Sequence, residues 1–261
     1  MDNRSNIALE AAQKAGEVVK NYFRGTFDIS TKKNDRDLVT SADLACEKVI
    51  IETIRKYFPQ DKILSEETVK DDINSEHLWI IDPIDGTGNF VKGLPLFCIS
   101  IAYASRRRVR LGVVFNPFIN ELYSAETGRG AYLNKTKKLA VSTNNTIRQA
   151  MVSFDYSSVD EYRKEIQQVT SSLPLKVRGM RILGVSALEF CWVGAGYLDA
   201  YLSRGAHPWD VAAGALIVEE AGGVVTDWHE NPWELDCGNF LASNGYVHRE
   251  FIKDILSHAK I

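Results

Sequence analysis

The sequence predicts an α/β protein in which helices lie between layered β-sheets. Two observations support this prediction. Segments with helical spacing of apolar residues alternate with short apolar segments typical of strands, which is the pattern of layered folds. The chain has 261 residues, of which 45% are hydrophobic, and this length suits one large domain or two packed subdomains.

The N-terminal half is predicted to contain two helices followed by antiparallel strands. Apolar residues recur at helical spacing over 6–24. A second helix is predicted over 40–59, where Asp43 lies in the first turn and Pro59 ends the segment. Strands are predicted at HLWIID, FCISIAYA, VRLGVVFNP, NELYSAE and GAYLN, and the second and third of these form a hairpin across the basic turn Arg106–Arg108.

The C-terminal half begins after a polar connector around 140–150. Its predicted elements are a strand at 150–154, helices at 158–171 and 185–195, a strand at YLDAYLS, a helix at 208–221, strands at GVVTD and FLASN, and a closing helix from about 247. No repeat or low-complexity linker separates the halves. We therefore expect two packed subdomains, an α+β subdomain over 1–145 and an α/β subdomain over 146–261.

The composition argues against several classes of function. The formal net charge is −3, so no overall positive field attracts nucleic acid or an anionic membrane. Cys46, Cys98, Cys191 and Cys237 are far apart, which favours buried thiols over a disulfide framework or a zinc site. The first residues lack the features of a signal peptide, and no apolar run approaches the ~18 residues of a membrane span. We expect a cytoplasmic protein with no membrane partner, and a nucleic-acid partner is not favoured.

The segment WIIDPIDGTGNF, residues 79–90, places two carboxylates at the end of an apolar strand. Pro83 is expected to end this strand because it cannot donate to a ladder. Asp82 and Asp85 would face opposite sides of a regular strand, so a turn is needed to bring them together. Two such carboxylates repel unless a proton or a cation lies between them. Because the candidate ligands are all oxygens, Mg²⁺ is the favoured cation.

Other groups near helix starts extend this pattern. The N–H groups of Gly86 and Thr87 are placed where an anion can bind. Asp43, Glu66 and Asp210 lie at or near predicted helix or strand ends, although each alone has an ordinary interpretation as a helix cap or turn residue. A haloacid-dehalogenase-type phosphatase is rejected, because that family separates its two acids by one residue and this chain separates them by two.

Four segments together resemble the inositol monophosphatase family. They are DLVTSAD (37–43), SEET (65–68), WIIDPIDGTGNF (79–90) and HPWDVAAGALIVEEAGG (207–223). They occur in the family's order and roughly its spacing, and the match covers nearly the whole chain. The resemblance implies an αβαβα sandwich of the inositol monophosphatase and fructose-1,6-bisphosphatase type. It also implies a Mg²⁺-dependent, lithium-sensitive phosphomonoesterase that is usually a homodimer, with two or three Mg²⁺ per subunit.

The resemblance also implies roles for individual residues. The metal ligands would be Glu66, Asp82, the backbone carbonyl of Ile84, Asp85 and Asp210, with Asp82 bridging two ions. The catalytic residues would be Glu66, Thr87 and Asp43, with Thr87, polarised by Asp43, orienting the attacking water. The substrate contacts would be Asp85, Gly86, Thr87, Gly184, Val185, Ser186, Ser203 and Asp210. Lys32 falls at the place of a basic residue near the site.

The chain departs from the family pattern at three positions. Ser65 replaces a frequent glycine, and Gly88 replaces a frequent threonine. Ser203 occupies a position where inositol-selective relatives often carry a glutamate that binds ring hydroxyls, and serine cannot supply that charged acceptor. The neighbouring Arg204 is a candidate contact for a second phosphate, or an exposed structural arginine.

We therefore expect hydrolysis of inositol monophosphate by metal-activated water attack, with relaxed specificity toward sugar phosphates. The alternative is a fructose-1,6-bisphosphatase or a dual-activity phosphatase. A 3′-phosphoadenosine 5′-phosphate phosphatase and a regulatory protein that binds RNA or acts in transcription are less favoured. The second of these would not need a complete set of metal ligands.

Overall fold

Two large β-sheets and three layers of helices form the fold, which the computed structural model describes over residues 3–254. The helices are α1 Asn3–Tyr22, α2 Ser41–Tyr57, α3 Thr87–Val91, α4 Asp160–Thr170, α5 Leu173–Lys176, α6 Ser186–Gly194, α7 Pro208–Glu220 and α8 His248–Asp254. The strands are β1 Ile29–Thr31, β2 Leu38–Thr40, β3 Lys62–Ser65, β4 His77–Asp85, β5 Cys98–Ser105, β6 Arg108–Asn116, β7 Glu121–Glu126, β8 Gly130–Leu133, β9 Lys137–Lys138, β10 Met151–Phe154, β11 Gly179–Arg181, β12 Ala200–Arg204, β13 Val224–Thr226 and β14 Asn239–Ser243.

The larger sheet has seven strands in the order β3-β4-β5-β6-β7-β8-β9. β3 and β4 are parallel, and each later neighbour is antiparallel. α1 and α2 pack on one face of this sheet, and small side chains such as Ala8 and Ala15, both fully buried, allow a close approach. The side chain of Thr40 caps α2, while Asp43 accepts a hydrogen bond from the Thr40 backbone, so that a capping box fixes the start of α2.

α6 and α7 form the central layer, between the two sheets. Every residue of α7 from Val211 to Val218 is buried. Ala212 and Leu216 pack toward the larger sheet, whereas Val211 and Val218 pack toward the smaller one. A helix with no polar face is explained by this position, because both of its sides contact a sheet.

The smaller sheet has five strands in the order β11-β10-β12-β14-β13. β11, β10 and β12 are parallel, and β14 runs antiparallel to both of its neighbours. α4 and α8 cover its outer face through buried residues that include Ile166 and Phe251. The order helix, sheet, helix, sheet, helix confirms the expected αβαβα sandwich.

Most predicted elements are confirmed, with shifts of a few residues at their ends. The expectation that Pro83 ends its strand is wrong, because β4 continues through Pro83 to Asp85. Several short strands were not predicted from the sequence, namely β1, β2, β3, β9 and β11. The predicted closing helix is present as α8 over His248–Asp254, and its continuation beyond 254 lies outside the described residues. Within residues 3–254, no helix is long and apolar enough to span a membrane.

Candidate active site

A bulge in β4 brings the two central carboxylates to one side of the strand. Asp82 pairs with Ser100 and Asp85 with Cys98, so three steps along β4 oppose two steps along β5. The extra residue reverses the alternation of side chains, and positions i and i+3 then share a face. Pro83 lies inside the bulge, where no ladder hydrogen bond is required of it.

Asp82 lies at the centre of a group of carboxylates. It is 2% exposed, and its Oδ1 atom has no hydrogen-bond partner among the described residues. Burial raises the pKa of Asp82 well above its usual range, and the nearby carboxylates of Glu66, Asp85 and Asp210 raise it further. Glu66 follows the end of β3, and its N–H donates to the carbonyl of Ile81 at 3.0 Å.

Asp85 is held by the start of α6. Its carboxylate accepts hydrogen bonds from the N–H of Ser186 at 3.2 Å and from that of Ala187 at 2.6 Å. Burial raises the pKa of Asp85, and the charge of Asp210 raises it further. Asp210 lies in the first turn of α7, where its carboxylate accepts the N–H of His207 at 2.7 Å. The larger sheet and the two central helices therefore each contribute one part of the cluster.

Thr87 links Asp43 to the bulge. The Thr87 hydroxyl lies 3.3 Å from Asp43 Oδ1 and 3.0 Å from the carbonyl oxygen of Ile84. Burial of Asp43 raises its pKa to about 6, although hydrogen bonds from Thr40 act in the opposite direction. The three groups are thus in direct contact at the edge of the carboxylate cluster.

Gly86 provides a turn that only glycine fits. Its φ of +87° lies in the left-handed region, and a Cβ atom there would lie 2.9 Å from the carbonyl oxygen of Leu96. The turn directs the chain from β4 into α3, which begins at Thr87. The N–H groups of Gly86 and Thr87 therefore lie at a helix start beside the carboxylates.

Lys32 pairs with two glutamates at the edge of the cluster. Its Nζ donates to Glu66 Oε1 at 2.7 Å and to Glu67 Oε1 at 2.6 Å. Burial disfavours the Lys32 charge, but attraction to Glu66 and these hydrogen bonds outweigh it and raise the pKa of Lys32. The basic residue expected near the site therefore contacts Glu66 directly.

The donor set fits a hard cation. Glu66, Asp82, Asp85 and Asp210 supply oxygen atoms only, and a buried Asp82 oxygen without a partner is the kind of atom that a cation satisfies. Among residues 3–254, no three His, Cys, Asp or Glu side chains already stand in a metal-binding arrangement, and Glu66 is paired with Lys32 instead. Lys32 contacts Oε1 of Glu66, so the second oxygen of this carboxylate can still bind a cation.

A cleft of about 590 Å³ opens beside the cluster. Lys32, Glu66 and Asp210 lie on its walls with two predicted substrate contacts, Ser186 and Ser203.

Two other predicted substrate contacts differ from these. The side chain of Val185 is fully buried in the core between the larger sheet and α6, so it can offer only backbone atoms to a substrate. Gly184 has a φ of +68°, and its N–H donates to Asp155 Oδ1 at 2.7 Å.

The sequence reading missed two residues of the cleft. Asp155 lies directly after β10, and an acid at the end of an apolar strand is the same signal that identified Asp82. Lys70 donates to the carbonyl of Glu66 at 2.5 Å, and its Nζ lies 4.3 Å from the centre of the Trp209 ring. No local signal indicates the contact with Trp209, because it joins two distant parts of the chain.

Comparisons with known proteins agree with this geometry. The model of the inositol monophosphatase family matches residues 1–260. A Thermotoga maritima protein named fructose-1,6-bisphosphatase/inositol-1-monophosphatase is 38% identical over 96% of this chain and 95% of its own length. The Nus factor SuhB of Haemophilus influenzae is 39% identical over 98% and 96%. A solved structure of a Thermotoga maritima IMPase superposes with a TM-score of 0.91 at 36% identity, covering 99% of this chain and 98% of that one.

Proposed function

Because this chain belongs to the inositol monophosphatase family, whose members hydrolyse phosphate monoesters and depend on metal ions, we propose that it hydrolyses inositol monophosphate with Mg²⁺. The observation that carries this proposal is the convergence of Glu66, Asp82, Asp85 and Asp210 beside a 590 Å³ cleft. A phosphate monoester carries negative charge that repels a nucleophile, and an all-carboxylate site can act on it only with cations bound.

Glu66, Asp82, Asp85, Asp210 and the Ile84 carbonyl would hold the ions, with Asp82 shared between two of them. Bound there, the metal ions supply Lewis-acid stabilisation of the phosphate oxygens and lower the pKa of a bound water. A third ion per subunit and inhibition by lithium remain part of the proposal. Both rest on the family resemblance.

The chain itself orients the reactants. In this proposal the Thr87 hydroxyl donates its hydrogen bond to Asp43 rather than to the Ile84 carbonyl, so a lone pair of its oxygen is free to hold and orient the attacking water. The N–H groups of Gly86 and Thr87 would bind phosphate oxygens at the start of α3. The amides of Ser186 and Ala187 keep Asp85 in place, so one side of the site is fixed before substrate binds.

The test is phosphate release from inositol 1-phosphate in the presence of Mg²⁺, with Asp85→Asn as the variant. This substitution removes a ligand charge and turns an NH₂ group toward the N–H of Ser186 or Ala187, so we expect turnover to fall by at least about 100-fold in a protein that still folds, with a lowered thermal unfolding midpoint. Asp72→Asn, in an exposed turn, is the matched control and should keep full activity. Undiminished activity in Asp85→Asn would refute the assigned ligand set.

A fructose-1,6-bisphosphatase activity is the second candidate. The Arg204 side chain lies on the cleft wall, where Glu165 accepts its Nε–H at 2.5 Å and Tyr162 lies beneath its guanidinium group at 4.4 Å. These contacts hold the guanidinium ready for a second anionic group. Rates on fructose 1,6-bisphosphate comparable to those on inositol 1-phosphate would favour a broad sugar phosphatase.

A regulatory role is the third candidate, since three relatives are named Nus factor SuhB. Metal binding in calorimetry without phosphate release from either ester would favour it over the enzymatic proposal. We further propose that the chain acts in the cytoplasm as a homodimer, and the free thiols of its four cysteines agree with a reducing compartment.

A further inference from the structure

The smaller sheet contributes a carboxylate to the cleft that the proposed mechanism does not use. Asp155 follows β10 and lies on the cleft wall, as does Ser203 of β12. The two strands are parallel, and their last recorded pair is Phe154↔Leu202. The next position of the same register places Asp155 beside Ser203, and both lie on the face of the sheet that is turned toward α6.

Asp155 is held in place but still has room for further hydrogen bonds. Its Oδ1 accepts the N–H of Gly184 at 2.7 Å, and its Oδ2 lies 3.2 Å from the hydroxyl oxygen of Tyr201. A carboxylate offers about four acceptor positions, so two remain. Behind it, burial and the neighbouring Asp155 carboxylate raise the pKa of Glu189.

Two hydroxyl groups flank this carboxylate. Ser203 is 4% exposed, and its Oγ has no hydrogen-bond partner among the described residues. The Tyr201 hydroxyl lies 2.9 Å from Ser186 Oγ, closer than to Asp155, and when its single proton is donated to Ser186 the Ser186 proton is available to another acceptor. A charged acceptor between two hydroxyls matches neighbouring alcohol groups, each of which can donate to the carboxylate and accept from a serine.

This group of side chains lies next to the reacting end of the cleft. The same short segment donates the N–H of Gly184 to Asp155 and the N–H of Ser186 to Asp85. An alcohol whose oxygen is held near Asp85 therefore extends toward Asp155 and Ser203. We propose that Asp155, with Ser203 and Ser186 beside it, recognises the hydroxyl groups of a polyol leaving group and determines specificity for such esters. This inference rests on the proposed phosphatase function.

The test compares two phosphate esters in the wild type and in Asp155→Asn. Inositol 1-phosphate carries hydroxyls on its leaving group, and p-nitrophenyl phosphate carries none. Loss of a charged acceptor should lower kcat/KM for the inositol ester roughly 10- to 100-fold. We expect kcat/KM for p-nitrophenyl phosphate to stay nearly unchanged, because asparagine can still accept the N–H of Gly184.

A second variant separates recognition from structure. Asp155→Asn combined with Ser203→Glu returns a carboxylate to the same wall from the neighbouring strand, and we expect it to recover most of the preference for the inositol ester. Asp72→Asn should leave both rates as in the wild type. An equal loss on both esters in Asp155→Asn would mean that Asp155 only supports Gly184, and an unchanged preference would mean that it does not meet the substrate. Either result would overturn the inference.

Binding of free inositol in the presence of inorganic phosphate, measured by calorimetry, does not depend on turnover. Weaker inositol binding in Asp155→Asn would support the polyol site even if the wild type released no phosphate from either ester. That last result would count against the proposed function alone. Equal inositol binding in the wild type and the variant would overturn the assignment of Asp155.

Discussion

At the scale of single residues, Glu47 holds the turn that contains Glu66 in place through hydrogen bonds. Glu47 is 2% exposed and accepts the N–H of Glu67 at 3.2 Å, the N–H of Thr68 at 3.0 Å and the Thr68 hydroxyl at 2.5 Å. It also accepts the hydroxyl of Ser65. Ser65, which replaces the family's frequent glycine, thus adds a hydrogen-bond donor to the buried Glu47 carboxylate. Local hydrogen bonds therefore accommodate the substitution.

Glu47→Gln should therefore destabilise the protein and loosen the turn. The substitution replaces the charged acceptor of the Ser65, Glu67 and Thr68 donors by a neutral amide oxygen, and we expect a loss of about 2 kcal/mol in the free energy of unfolding. Urea denaturation measures this loss as a lower midpoint at an unchanged slope. Ser65→Ala removes one donor of the same cluster and should cost less. A wild-type midpoint in Glu47→Gln would show that the cluster does not hold the turn.

At the scale of elements, the sequence predicts helices and central strands well and short edge strands poorly. Apolar spacing identifies α1 and α2, because each buries a single face. β3 and β11 are only four and three residues long. They are strands because they pair with a neighbouring strand, and no local sequence pattern shows this pairing. For the same reason, motif reading finds Asp82 and Asp85 within a local segment. Asp155 also follows an apolar strand, but its place beside Ser203 depends on the pairing of β10 with β12, which the sequence does not show.

The β4 bulge shows a limit of a rule that is otherwise sound. Proline disrupts a ladder, and the sequence reading therefore ended the strand at Pro83. The structure instead places Pro83 where the register shifts between Asp82 and Asp85, so the strand continues and the two carboxylates come to one side. Only the pairing with β5 reveals that an extra residue is accommodated there.

α8 is attached to the smaller sheet through a buried neutral histidine, which predicts a pH dependence of stability. His248 is 4% exposed, and its two ring nitrogens lie 2.9 Å from Thr226 Oγ1 and 2.8 Å from Ser243 Oγ. Burial lowers the pKa of His248 from 6.5 to about 4. The unfolded chain binds this proton more tightly, so stability should fall as the pH drops from about 6.5 to about 4, by up to about 3 kcal/mol.

Unfolding midpoints in urea at several pH values, in the wild type and in His248→Gln, measure this contribution. The difference between the two proteins should narrow as the pH falls, because only the wild type must protonate the histidine. His229→Gln, at an exposed position, is the control and should follow the wild type. Parallel curves for the wild type and His248→Gln would show that His248 titrates normally in the folded state.

At the scale of the whole molecule, the cleft is built from both halves of the chain. The loop after β1 reaches the start of α4 and the loop before it: Arg36 Nη1 donates to Asp160, the first residue of α4, at 2.5 Å, and Asn34 Nδ2 donates to the carbonyl of Ser158 at 3.3 Å. α6 and α7 pack against both sheets. The boundary near 145 stays a prediction, but the site depends on residues from both sides of it.

The proposed homodimer makes a prediction at the same scale. β11 is an edge strand, and next to it lie the exposed Ile182 and Tyr197 beside a cavity lined by Leu183 and Trp192. Sedimentation equilibrium should give twice the chain mass of 29.2 kDa, and Ile182→Asp should lower it toward the monomer. Leu175→Asp, at a position that is 90% exposed, is the control and should stay dimeric. A monomeric wild type would refute the proposed homodimer. If Ile182→Asp remained dimeric, the interface would lie elsewhere on the surface.

The reactivity of the four cysteines can report on local opening of the fold. Cys46 lies against the carbonyl of Pro83 at 3.0 Å and Cys98 against Asp85 at 3.6 Å, and both are fully buried. Cys191 is buried as well, whereas Cys237 is half-buried. A thiol reagent reaches Cys46 and Cys98 only when the fold around them opens, so their labelling rate measures how often the β4 bulge opens. Cys237 provides the internal reference for these labelling rates, and no dye has to be attached to the chain for the measurement.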